Sequence, residues 1–150
     1  MTKGNISYVI GVCNDMTYVS YDGTTYIRGW RSGGGKYDSN KRNLRKLPVP
    51  EGKTVKKVVQ GKSCRFMLTT DGKTYWHGQT KHYQTTSSMS ENFTDEWRES
   101  PDHLWKNEDD KIIDITAGKN CWQIITEGGK VYNQGFVSYR YFYSDDRYNT

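Results

Sequence analysis

Three cysteines, three histidines and one dense run of basic residues are the side chains of this 150-residue chain best equipped for chemistry. Cys13, Cys64 and Cys121 are odd in number and include no Cys-x-x-Cys pair, so they suggest neither a zinc site nor a disulfide framework. Free cysteine behaves as a small apolar side chain, and packing is the role expected of them. His77, His82 and His103 have no triad or metal spacing, and structural or surface positions are expected for them. Ser32-Gly33-Gly34-Gly35-Lys36 lacks the GxxxxGK[ST] spacing of a phosphate loop and the helix that should follow, and reads as a flexible tip. No catalytic, cofactor-binding or metal-binding residue is assigned.

Charge is distributed unevenly. Between Arg31 and Arg65 eleven Lys and Arg stand against two acids, a local balance of +9, so the rest of a chain of net +5 carries −4. Lys41, Arg42, Arg45 and Lys46, followed by Lys56 and Lys57, suit contact with phosphates or with an acidic protein surface, provided that they share one face. These six are the candidate partner-binding residues. The acidic set Glu91, Asp95, Glu96, Glu99, Asp102, Glu108, Asp109 and Asp110 offers a counterpart within the chain.

The elements that must position these groups are strands. Residues are 33% hydrophobic but 14% aromatic, with twelve tyrosines, five tryptophans and fifteen glycines, a profile that favours sheets over helices. No apolar run approaches the roughly 20 residues that would span a bilayer, and Met1 to Tyr8 lacks the pattern of an export signal, so an intracellular location without membrane contact is expected.

Laid on itself, the chain shows three copies of one pattern. Gly61, Cys64, Thr69, Gly72, Lys73, Tyr75 and Gly78 recur 57 positions later as Gly118, Cys121, Thr126, Gly129, Lys130, Tyr132 and Gly135. Tyr18 to Gly29 repeats the second half 49 positions before the middle copy, and its front end, around Gly11, calls for a one-residue gap. Within each copy, Asp22-Gly23, Asp71-Gly72 or Gly128-Gly129 separates two strand-like runs, a hairpin signal because glycine supplies φ > 0 without steric cost. The runs Val55 to Gln60 and Lys111 to Ala117 add a third strand, and the glycine after each marks a turn or a close backbone approach. The stretches that begin at Trp30, Gln79 and Phe136 have room for a fourth.

Small sheets cannot bury both faces alone, so copies spaced like these must stack as blades do. One all-β domain over 1–150 is expected, a partial β-propeller of about three blades. The blades fall at about 6–30, 55–78 and 112–135, the loops at 31–54 and 79–111, and the tail at 136–150. Aromatics Tyr139, Tyr141, Phe142 and Tyr143 in that tail alternate as in the first strand of another blade.

The run Gln60-Gly61-Lys62-Ser63-Cys64, continued by Leu68-Thr69-Thr70-Asp71-Gly72-Lys73-Thr74-Tyr75-Trp76-His77-Gly78, resembles the repeat of the regulator-of-chromosome-condensation (RCC) family, and the resemblance extends from about Ile6 to Gly135. Leu44 to Pro50 is similar to the proline-containing approach before a repeat's first strand. The chain departs from the family pattern where Cys64 and Cys121 replace a histidine and where Arg28, His77 and Gln134 stand in place of a tryptophan. The resemblance implies a ring of seven blades, of which this chain supplies three, so that the chain is an excised piece, is completed by other chains, or is an open, shortened variant whose edge strands must be protected.

Functionally the resemblance implies a non-enzymatic protein–protein interaction scaffold that needs no cofactor. Two alternatives accompany it: guanine-nucleotide exchange on a small GTPase, and association with nucleic acid or chromatin through the basic segment. Fold alone does not choose among them.

Overall fold

The computed structural model describes residues 5–13, 15–29, 44–80, 92–100 and 110–135. Regular structure in them is entirely β, in three antiparallel sheets. The first sheet follows the order β1 (Ile6–Val12), β2 (Asp15–Ser20), β3 (Thr25–Gly29), β4 (Arg45–Leu47). The second follows β5 (Val55–Gln60), β6 (Cys64–Thr69), β7 (Thr74–Thr80), β8 (Asn92–Glu99), and the third β9 (Ile112–Ala117), β10 (Cys121–Thr126), β11 (Val131–Gly135). The three copies are thus three successive blades. No helix among the described residues is long and apolar enough to cross a membrane.

The repeated sequence produces repeated geometry. At each β2–β3-type turn a three-residue loop closes on a glycine with positive φ: Gly23 at 84°, Gly72 at 81° and Gly129 at 76°. Gly23 N donates to Ser20 O at 2.9 Å, Gly72 N to Thr69 O at 3.0 Å, and Gly129 N to Thr126 O at 3.0 Å. In the first two blades the hydroxyl of Ser20 or Thr69 also donates to the carboxylate of Asp22 or Asp71. The glycines that end β5 and β9 allow close approach. A Cβ on Gly61 would lie 3.2 Å from Cys64 Sγ and 3.0 Å from the carbonyl oxygen of Gly118 in the next blade, where Lys62 N donates to Lys119 O at 3.0 Å. Gly118 repeats the device, with Cys121 Sγ 3.0 Å from its would-be Cβ.

Three expectations need correction. β4 lies in the segment 31–54 and β8 in 79–111, both bounded as loops from sequence; they are the fourth strands for which the stretches beginning at Trp30 and Gln79 have room, so blade 1 extends to Leu47 and blade 2 to Glu99. Leu44 to Pro50 is accordingly no approach to a first strand: its Arg45–Leu47 pairs with β3 through Thr25↔Leu47 and Ile27↔Arg45. Arg-Lys-Leu and Asn-Phe-Thr-Asp-Glu-Trp-Arg-Glu carry little apolar alternation, and they are strands because a neighbour offers them a ladder. No gap is needed at Gly11, which faces Met16 as Gln60 faces Arg65, so Val12 holds the place of Gly61. The glycine-rich stretch at 32–36, His82, His103 and the aromatic tail lie outside the described residues.

Blade 2 is buried on both faces, and every residue of β6 is buried. One face carries Cys64, Phe66, Leu68 and Trp76 against Ile112, Ile115, Trp122 and Ile124 of blade 3, with the Phe66 and Trp122 rings stacked at 4.4 Å between centroids. The opposite face packs Val58, Met67 and Tyr75 on Val19 of blade 1. That second joint has a polar centre. Arg65 Nε donates to Thr17 Oγ1 at 2.6 Å, Thr17 Oγ1 donates to Gln60 Oε1 at 2.6 Å, and Gln60 Nε2 reaches Asp15 O at 3.4 Å. Buried polar groups persist when hydrogen-bonded, and this chain of bonds is what lets the joint hold them.

Candidate interaction surface

The four basic candidates among the described residues do not form one face. Lys41 and Arg42 lie outside the described residues. Arg45 and Lys46 occupy β4, the last strand of the first sheet, whereas Lys56 and Lys57 occupy β5, the first strand of the second. Arg45 reaches blade 2, donating to the Asp95 carbonyl and lying 3.5 Å from its carboxylate. Lys56 donates to the Ile113 carbonyl, and Lys57 Nζ lies 2.9 Å from Asp114 Oδ1. These three therefore tie one blade to the next, while Lys46 is exposed on β4. The Lys57 ammonium, by its hydrogen bond, holds the Asp114 carboxyl below the usual carboxylate range.

The first strands of the blades adjoin. Tyr8, on β1, accepts a hydrogen bond from Val58 N at 2.8 Å with its hydroxyl, which places β1 beside β5. Burial raises the Tyr8 phenol pKa above its ordinary value, so the hydroxyl stays protonated. Between these strands runs an open groove of about 530 Å³, lined by Tyr8, Ile10 and Val12 of β1, by Lys56 to Gln60 of β5, and by Thr116 and Ala117 of β9. Sequence reading missed it. The signal available was the alternation of Tyr8, Ile10 and Val12 along one side of a strand, but the groove itself is made by three strands distant in sequence.

Elsewhere the titratable groups serve the structure. His77 is fully buried on β7, and burial, assisted by Arg65 and Arg45, pushes its pKa down to about 3. Neither ring nitrogen makes a well-formed hydrogen bond, and the Asp95 backbone offsets the shift only in part. The Trp97 ring meets His77 edge-on at 5.9 Å. Lys53 and Asp71 pair at 2.6 Å; that hydrogen bond, with one from Thr69, holds Asp71 at a pKa of about 2. Cys64 is buried, Cys121 half-buried and Cys13 exposed. Among the described residues no three His, Cys, Asp or Glu gather where they could hold a metal ion.

No protein-family model matches the sequence, and no curated protein matches it either. Solved structures do match. Human WBSCR16 superposes with a TM-score of 0.70 at 19% identity, over 91% of this chain and 34% of that one. Prp20p from Saccharomyces cerevisiae, whose structure is described together with its binding to Gsp1p and histones, gives 0.65 at 14% identity, over 88% of this chain and 33% of that one. Yeast RCC1 (Prp20) bound to Kap60 gives 0.63 at 14% identity, over 88% and 32%. The chain thus spans about a third of the length of the structures it matches. Three successive four- or three-stranded blades, superposable on a third of each of these proteins, give the chain the fold of an RCC1-like β-propeller, in part.

Proposed function

We propose that the chain is a non-enzymatic scaffold that binds another protein. The observation that carries this reading is the open groove along β1, β5 and β9, whose lining of Tyr8, Ile10, Val12, Val59 and Ala117 fits a partner segment with apolar residues. The fold similarity to Prp20p, described as binding Gsp1p and histones, and to yeast RCC1 bound to Kap60 supports protein partners as a class. Binding of the whole chain to a panel of small GTPases and to histones, measured by titration calorimetry, tests it. Saturable binding lost on Val12→Arg or Thr116→Arg supports the groove; binding unchanged by both removes it.

Nucleotide exchange on a small GTPase is the second reading, favoured by the same similarity to Prp20p. Release of labelled GDP separates the two: a scaffold binds without accelerating release, an exchange factor accelerates it. Nucleic-acid association draws less support, because Arg45, Lys56 and Lys57 are engaged between blades. A nucleic-acid affinity that does not change with salt contradicts phosphate contacts.

A further inference from the structure

His77 on β7 and Arg65 on β6 stand opposite each other in the ladder, so their side chains share one face of blade 2. Arg65 bonds Thr17 of β2 through Nε, which places that face under blade 1. Arg65 is 1% exposed and His77 0%. Arg65 Nη2, both ring nitrogens of His77 and Trp97 Nε1 are buried there without a hydrogen-bond partner among the described residues. Water reaches such groups once the joint parts, so each of them weakens the closed state relative to the open one. Opposite His77 the last strand of the blade bulges: Trp76 pairs with Arg98 and Gly78 with Thr94, and the bulge sets the Trp97 ring edge-on to the imidazole.

The charges that face His77 come from three strands. Arg65 acts on it from β6, Arg45 from β4, and the Asp95 backbone from β8. The Asp95 carboxylate lies 3.5 Å from Arg45 Nη1, and Asp15 of β2 acts on Arg65. An imidazolium formed in the closed joint therefore stands beside two guanidinium groups, and neither of its nitrogens has an acceptor among the described residues. Loss of water, then the two arginines, hold the ring uncharged. When blade 1 lifts, Arg45 leaves with β4 and water enters, so a proton binds the open form in preference to the closed one. The buried contact between blades 2 and 3 is apolar and gains nothing from a proton.

We propose that His77 is a proton-operated latch: its protonation parts blade 1 from blade 2 while blades 2 and 3 stay joined. The structure carries a reporter for this movement. Val58 N, on β5, has the Tyr8 hydroxyl of β1 as its acceptor at 2.8 Å, an arrangement that lasts only while the two strands lie side by side. Parting the blades frees that amide and takes the wall of Tyr8, Ile10 and Val12 away from the groove. The latch is independent of what the groove binds.

The test is hydrogen exchange of single amides by NMR on the whole chain, from about pH 7 to about pH 4, corrected for intrinsic exchange rates. Protection of the Val58 amide is expected to fall by up to about tenfold per pH unit below about pH 6.5. Throughout, it is expected to stay below that of Ile124, on the central strand of blade 3. His77→Phe and His77→Gln both lack a titrating ring, one apolar and one polar, and in each the Val58 response is expected to be nearly flat. Equal protection at Val58 and Ile124 would mean that the blades part only when the whole chain unfolds. That result, a flat response in wild type, or a slope that survives in either variant would overturn the proposal.

Discussion

The carboxylate of Asp110 stands where the side chain of residue 128 would lie if the third turn carried the aspartate of the other two. Its Oδ2 accepts from Thr126 Oγ1 at 2.6 Å and its Oδ1 from Gly128 N at 2.7 Å, and a Cβ built on Gly128 would come within 2.8 Å of it. In blades 1 and 2 the same service comes from Asp22 and Asp71 inside the turn. Asp110→Ala is expected to lower the urea midpoint, and Gly128→Asp alone to lower it as well, by placing two carboxylates in one space. The double variant rebuilds the pattern of blades 1 and 2 and is expected to recover most of the loss. Two additive losses would show that the two positions do not share one role.

The stacked pair Phe66 and Trp122 joins blades 2 and 3 with both side chains fully buried. Trp122→Ala is expected to cost about 3–5 kcal/mol by equilibrium denaturation, because the site cannot collapse around so large a void. In a double-mutant cycle with Phe66→Ala, a coupling of about 0.5–1.5 kcal/mol is expected from the ring contact beyond the area buried.

Acid should act through His77. Its imidazole titrates near 6.5 in the unfolded chain and near 3 in the fold, so between those values the unfolded state binds more protons. The stability that this group contributes is complete above about pH 6.5 and is lost as the pH falls toward 3, at a slope of at most about 1.4 kcal/mol per pH unit. Asp71, whose ordinary pKa of 3.8 is lowered to about 2, adds its own loss only below 3.8. Denaturation midpoints followed from about pH 7 to about pH 4 should fall in wild type and stay nearly flat in His77→Phe, which leaves no ring nitrogen to protonate.

Thr17 is the pivot of the polar joint, accepting from Arg65 and donating to Gln60. Thr17→Val keeps the shape but strips a buried donor and a buried acceptor of their partner, and a loss of about 1–3 kcal/mol is expected by denaturation. Making Arg65→Met and Gln60→Leu in the same chain removes the groups left stranded and is expected to recover stability, the usual result when a whole buried polar set is exchanged for apolar residues.

The blade cores were legible because seven residues recur at one spacing and because Asp-Gly and Gly-Gly turns demand a glycine at positive φ, found at Gly23, Gly72 and Gly129. β4 and β8 were not, since Arg45–Leu47 and Asn92–Glu99 have no periodicity of their own and owe their conformation to β3 and β7. The basic run was visible as composition but not as geometry. Ten positions apart in one basic stretch, Lys46 and Lys56 stand on the last strand of one sheet and the first strand of the next, so a block of charge in the chain is no patch on the surface. Asp110 could have been suspected from the turn at Gly128, where one aspartate is missing from a pattern met twice.

The two joints differ in what holds them, and so they should differ in how they part. Between blades 2 and 3 the buried contact is apolar and aromatic, with the Lys57–Asp114 pair at its exposed edge; between blades 1 and 2 a buried guanidinium and an uncharged imidazole are part of the buried contact. The second is the weaker seam. As conditions worsen, the chain opens there first, releasing the sheet of β1 to β4 from a two-blade remainder whose amide hydrogens go on exchanging slowly.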